Sequence, residues 1–193
     1  MPTKATELTG TARERLLAAA SELFYAEGIH TVGIDRVIER AGVAKASLYN
    51  TYGSKDELIR AYLHERHMRT QARITKALDP IESPRDKLLG IFDSQRAYYL
   101  SSNWRGCAFM NASAESQPGG TVEQASDEYR SWFRGLFTDL AREAGARDAE
   151  ALAAKLVILY DGTAMTARMD RNPDAFTDAK AIAALLIDAA TAS

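Results

Sequence analysis

Within a short span the chain places Lys45, Ser47, Tyr49, Asn50, Thr51 and Lys55. Two ammonium groups, three hydroxyls and an amide are the side chains that anchor phosphate oxygens and read base edges. Groups suited to bond-breaking are scarce. There is one cysteine, Cys107, and three histidines, with no glycine-rich phosphate loop and no nucleophile spaced against a base. His64 and His67 stand at i and i+3 with Glu65 between them, but no Cys or third His is placed to complete a metal site, so they are read as the polar face of a helix. An enzyme is not expected, and no metal or cofactor is implied.

The polar residues must be held by elements that can present them together. Thr11 with Glu14 forms a capping box, and Leu16, Ala20, Leu23 and Phe24 follow at helical spacing, so a first helix is expected over Thr11 to Glu27, stopped by Gly28. Ile34, Val37, Ile38 and Ala41 make a one-sided stripe two turns long, closed by Gly42. A third short helix from Ala44 to Thr51 buries Val43 and Leu48 and turns the polar set outward. Helices this short do not persist alone, so all three must pack as one helix-turn-helix unit. Such a unit lays its second short helix in the major groove of DNA, whose width admits it and whose base edges carry a readable pattern. Lys45, Ser47, Asn50 and Thr51 are placed for bases or phosphates, Tyr49 for a phosphate through its hydroxyl, and Lys55 for charge at the next helix start. Arg36, opposite the apolar stripe of its helix, is either a phosphate contact or a solvated cation.

Composition agrees with this reading. The 193 residues are 46% hydrophobic and 26% charged, as in a globular chain with its own core, and Gly and Pro are few, at 12 and 5. The net charge of −2 divides unevenly, with +3 on residues 1–76 and −5 on residues 77–193. A basic module that meets a polyanion, joined to a body with another task, fits that division. The lone cysteine and the absence of a signal-peptide core in Met1 to Gly10 point to the cytoplasm, and no apolar run is long enough for a membrane span. Ser54 opens a fourth helix running to Leu78, and Asp79-Pro80 through Ser83-Pro84 is the clearest break. The expected division is a DNA-binding domain over 1–55, a connecting helix over 55–78 and a second domain over 79–193. Five further helices are expected at Pro84 to Leu100, Cys107 to Glu115, Thr121 to Ala144, Ala149 to Arg171 and Thr177 to Ala192, making the chain all-α with about nine helices.

The stretch from Gly28 to Tyr62, with its Ala41-Gly42-Val43 turn, its Leu48-Tyr49 pair and its Ser54-Lys55-Asp56-Glu57-Leu58 helix start, resembles the DNA-binding module of tetracycline-repressor (TetR/AcrR) family regulators. The resemblance covers about residues 10 to 65. It implies a homodimeric, all-helical repressor of double-stranded operator DNA, whose C-terminal domain binds a small molecule and thereby alters the separation of the recognition helices. It also brings Gly33 and Ala46 into the DNA-facing set. The sequence departs from the family at Gly33 and Ala44, where a hydroxyl residue usually caps helices 2 and 3, and at Ala46, where Gly is frequent.

The C-terminal part is rich in aromatic and soft side chains. Trp104, Cys107, Met110, Asn111, Trp132 and Phe133 are the candidate effector contacts, with Cys107, Met110, Asn111 and Ala114 expected on one helix face, although core packing explains most such residues. The acidic balance of this part favours a neutral or cationic apolar ligand. The Ala-rich last two helices, carrying Leu152, Leu156, Leu159 and Gly162 on one and Ile182, Leu185, Leu186 and Ala189 on the other, are expected to form a two-fold dimer interface, against the alternative of an internal core. Two other regulatory readings stand beside effector release. One is an activating or ligand-independent helix-turn-helix regulator, and the other is a redox or electrophile sensor acting through Cys107.

Overall fold

Short stop signals set the helices. The computed structural model describes residues 8–101 and 104–192, and these hold nine helices and no strand. Residues 1–7 of the Met1 to Gly10 stretch and residues 102–103 lie outside the described residues. No helix among the described residues is long and apolar enough to cross a membrane. The chain forms two compact units, one of residues up to 66 together with 108–126 and the other of residues 67–107 together with 127–193.

The first unit is built on α1 (Ala12–Glu27). Thr11 Oγ1 accepts from the Glu14 amide at 3.3 Å while Glu14 Oε2 accepts from the Thr11 amide at 2.8 Å, closing the capping box. Leu16, Ala19, Ala20 and Phe24 form its buried face. Helix α2 (Ile34–Ala41) buries Val37 and Ala41, and Gly42 ends it in the left-handed conformation at φ 60°. Helix α3 (Lys45–Tyr52) buries Leu48 and Tyr52, and the Tyr52 hydroxyl donates to the Arg13 carbonyl at 3.0 Å. Arg15 of α1 donates to the Gly42 carbonyl at 3.2 Å and so pins the turn between α2 and α3. Helix α4 (Lys55–Leu78) starts where Ser54 Oγ accepts from the Glu57 amide at 3.1 Å, and its Tyr62 meets Phe24 edge-on at 5.7 Å.

Helix α6 (Ala108–Glu115) belongs to the same unit. Its Glu115 accepts from the His30 amide at 2.8 Å across 85 positions of sequence. The carboxylate lies where a side chain on Gly28 would stand, since a Cβ there would be 2.6 Å from Glu115 Oε1, and Gly28 has φ +97°. Glycine at 28 therefore both stops α1 and admits the carboxylate.

The second unit contains α5 (Pro84–Tyr99), α8 (Ala149–Asp170) and α9 (Asp174–Thr191), which pack on one another. The larger part of α7 (Thr121–Glu143) also lies in it. Gly90 lets Ile81 and Leu78 approach α5, because a Cβ there would lie 2.8 Å from the Ile81 side chain. Three expectations differ from what is found. Helix α9 starts three residues earlier than Thr177, because Asn172 Oδ1 caps the Asp174 amide at 2.9 Å and Pro173 stands at the N-cap. Cys107 precedes α6 rather than sharing its face. His67 is no solvated polar residue, since its ring lies 5.1 Å from Trp132 and 5.6 Å from Tyr129.

The Thr11 hydrogen bonds hold the Glu14 carboxyl below its ordinary 4.5. A depressed folded-state value contributes stability above the unfolded value and loses it as pH falls through the folded one. Glu14→Gln should therefore lower the melting temperature at neutral pH, with the gap from wild type shrinking in acid. Thr11→Ala should cost about 1 kcal/mol at neutral pH. Thermal melts of both variants across pH check this.

Candidate functional site

The outer face of α3 carries Lys45, Ala46, Tyr49 and Asn50 in the open, while Ser47 and Thr51 are half-buried beside them. The face exists because Leu48 and Tyr52, at i and i+4, take the opposite side of the helix into the core. Tyr49 is the one large apolar side chain of α3 left exposed. Lys55 is half-buried in the first turn of α4. Gly33 and Ala44 are the N-caps of α2 and α3, and neither contributes a side-chain cap. The first amides of both helices thus look outward without a side-chain acceptor, a local positive end that suits an anion.

The cations near this face are tied to acids. Lys45 Nζ donates to Asp35 Oδ1 at 3.0 Å, and this bond pushes the ammonium above its usual value. Arg36 binds Glu27 through two hydrogen bonds of 2.6 and 3.0 Å. Arg40 binds Glu22 in the same way at 2.7 and 3.2 Å. Arg36, read from the sequence as either phosphate contact or solvated cation, is thus a bridge from α2 to α1. The partner acids were not visible as such in the sequence. They stand 9, 18 and 10 positions from their cations, separations that only the tertiary packing of the helices closes.

The candidate effector residues separate. Met110 and Asn111 lie on α6 in the first unit, Met110 exposed and Asn111 half-buried. Trp104, Cys107, Trp132 and Phe133 lie in the second. There Trp132 and Phe133 join Tyr129, Phe137 and Tyr160 in a ring cluster, with Phe133 fully buried, 4.7 Å from Tyr160 and 5.1 Å from Phe137. Trp104 packs on Tyr99 at 4.7 Å. Cys107 is half-buried near the Tyr129 and Tyr160 hydroxyls. Burial pushes the Tyr129 hydroxyl well above its ordinary range and raises that of Tyr160, so both remain protonated donors at neutral pH. Arg73 and Gln95, beside the same hydroxyls and backbone, are polar groups that the sequence reading missed.

Leu152 and Leu156 of α8 are buried within the protomer, which removes them from the expected interface stripe. The apolar residues left outside are Ile158, Met165 and Met169 of α8, with Gly162 between them, and Ile182 and Leu185 of α9.

Comparison with known proteins bears on the first unit and then on the whole chain. The profile of bacterial regulatory proteins of the tetR family matches residues 16–62, from the middle of α1 into α4. The transcriptional activator FasR of Mycolicibacterium smegmatis is 48% identical over 56 residues, which are 29% of this chain and 25% of that protein. The chain thus spans about a quarter of that relative's length. The transcriptional regulator LmrA of Bacillus subtilis is 22% identical over 155 residues, 77% of this chain and 81% of that one. A crystal structure of a TetR-family transcriptional regulator from Streptomyces coelicolor superposes with a TM-score of 0.86 at 34% identity, covering 93% of this chain and 96% of that chain. The match extends through the helices that follow α4, so the likeness is not confined to the DNA-binding motif. This chain belongs to the TetR family of helix-turn-helix, DNA-binding transcriptional regulators.

Proposed function

We propose that the protein is a dimeric repressor that binds a palindromic operator and leaves it when a small, largely apolar effector binds the C-terminal part. In this reading residues 1–55 are the DNA-binding domain, α4 connects, and residues 79–193 hold the effector and the partner protomer. The observation that carries the DNA-binding half is the exposed polar face of α3, set opposite Leu48 and Tyr52. Lys45, Ser47, Tyr49, Asn50 and Thr51 read or anchor the major groove, and Gly33, Ala46 and Lys55 lie against the backbone. Arg36 and Lys45 exchange Glu27 and Asp35 for phosphates. That exchange costs little, since an exposed ion pair contributes about 0–1 kcal/mol.

Dimerisation follows from the apolar stripe. Ile158, Gly162, Met165 and Met169 recur at helical spacing along α8, as do Ile182, Leu185 and Ala189 along α9. Ile158 and Met169 are each 72% exposed and Leu185 71%. A contiguous surface of this kind supports a second copy of the chain as its cover, with the small Gly162 allowing close helix approach. Pairing also sets two recognition helices at a fixed separation, which a palindromic site requires. Activation is the second reading, favoured by the 48% identity of the DNA-binding segment to a protein named as an activator.

The expected outcomes are specific. On DNA flanking its own gene, the wild-type protein binds with a steep salt dependence, and Lys45→Ala reduces the salt slope by about one. Asn50→Ala lowers affinity for the specific site by about 1–3 kcal/mol while leaving binding to unrelated DNA nearly unchanged. Fluorescence anisotropy measures both, and wild-type affinity in both variants would remove α3 as the reading helix. Leu185→Glu should give a monomer of unchanged helix content that has lost high-affinity operator binding. A wild-type monomer in light scattering at micromolar concentration would contradict the dimer. Transcript levels of the flanking genes in a deletion strain separate repression, where they rise, from activation, where they fall.

A further inference from the structure

The second unit contains a cation that no acid answers. Arg73 of α4 is half-buried. Its Nη1 donates to the Ser94 carbonyl at 2.8 Å and to Ser94 Oγ at 2.6 Å, and its guanidinium lies 4.9 Å from the centre of the Tyr98 ring. The Tyr160 hydroxyl stands beside it. All of these partners are neutral, and among the described residues Arg73 has no ion pair. Asp161, the acid that faces the Tyr129 and Tyr160 hydroxyls, is engaged by Arg130 at 2.7 Å. A guanidinium drawn partly out of water is stabilised far better by an anion than by hydroxyls and rings alone.

A second polar group in the same neighbourhood lacks a partner. Gln95, the neighbour of Ser94 on α5, is 5% exposed. Its Nε2 donates to the Tyr160 carbonyl at 2.8 Å, whereas its Oε1 is buried with no hydrogen-bond donor. An unmet buried acceptor costs about 1–3 kcal/mol, so the position favours whatever brings a donor. The side chains around these groups are aromatic, with Phe92 fully buried 6.0 Å from Tyr160 and Phe133 4.7 Å from it. Tyr129 and Tyr160 supply hydroxyls that remain donors. Cation, hydroxyl donor, unmet acceptor and aromatic neighbours describe one ligand chemistry.

We propose that Arg73 is the anion-binding residue of an effector site in the second unit, and that the effector is a small aromatic carboxylic acid. The carboxylate takes the guanidinium and the Tyr160 hydroxyl beside it, the ring lies among the aromatic side chains, and a hydroxyl or amine substituent donates to Gln95 Oε1. This assignment rests on the reading of the chain as an effector-released regulator, and it extends the effector site from residues 79–193 into α4. It reverses the expectation drawn from the acidic net charge of the C-terminal part, because the local charge at the site is positive.

The test uses the intact purified protein and the intrinsic fluorescence of its two tryptophans, Trp104 and Trp132, the latter with its indole 6.0 Å from Tyr129. Benzoate and 2-naphthoate are titrated against their uncharged amides and against benzylamine. At least one carboxylate should bind about tenfold or more tightly than its amide, a difference that one charge-assisted hydrogen bond accounts for. Arg73→Gln should abolish that preference, and Arg73→Lys, which keeps the charge but not the planar fork, should retain part of it. Because the lysine variant preserves the cation, it separates lost recognition from lost folding, which circular dichroism also reports. Equal binding of acid and amide, no binding of either carboxylate, or an undiminished preference in Arg73→Gln overturns the proposal. Operator anisotropy is read separately. Arg73-dependent carboxylate binding without operator release leaves the site standing and removes effector release, whereas specific operator binding by a protein that binds neither carboxylate removes the site and leaves the regulator.

Discussion

The exposed polar face of α3 depends on one constraint, that α2 and α3 are too short to exist by themselves. Each has eight residues, well under the length at which a helix persists in water. What holds them is burial of Val37, Ala41, Leu48 and Tyr52 against α1, and burying Val37 or Leu48 contributes about 1.5–3 kcal/mol each. The outward residues of α3 are outward because Leu48 and Tyr52, one turn apart on its other face, are committed inward. The Arg15 bond to Gly42 and the Tyr52 bond to Arg13 then fix the angle at which that outer face is presented.

The electrostatics of the same unit follow a second pattern. Arg36, Arg40 and Lys45 carry the positive charge of α2 and α3, and each is paired with a carboxylate of α1 or α2. With both partners of the Lys45 pair largely in solvent, that pairing contributes little to stability. The pairs hold the cations in defined places. Neither N-cap side chain bonds the first amides of α2 and α3, where many helices spend those donors on a cap.

Glu115 ties α6 into this unit. Its carboxylate replaces a side chain at Gly28 and satisfies the His30 amide, so the turn that leads into α2 is set partly by a residue from far along the chain. In the second unit the corresponding role falls to the aromatic rings around Phe133, which pack densely and confine the polar groups of Arg73, Gln95, Tyr129 and Tyr160 to their margins. Polar groups in such surroundings are costly unless answered, and their arrangement is informative for that reason.

The limits of α1 to α4, the Thr11 and Ser54 caps, the glycine stops at 28 and 42 and the inward and outward sides of α3 were legible in the sequence. Each is governed by residues within one or two turns, where spacing translates directly into geometry. Membership in the TetR family was legible for the same reason, since its motif is contiguous. The early start of α9 was missed because Asn172 caps from outside the periodic stretch. What only the tertiary structure decided lies between distant segments. The partners of Arg36, Arg40 and Lys45, the bond from Glu115 to His30, the aromatic surroundings of His67, the burial of Leu152 and Leu156 and the unanswered charge of Arg73 each join helices far apart in the chain. A residue type states what a side chain is able to bind. Which neighbour it meets depends on how whole helices pack, a quantity that local spacing does not carry.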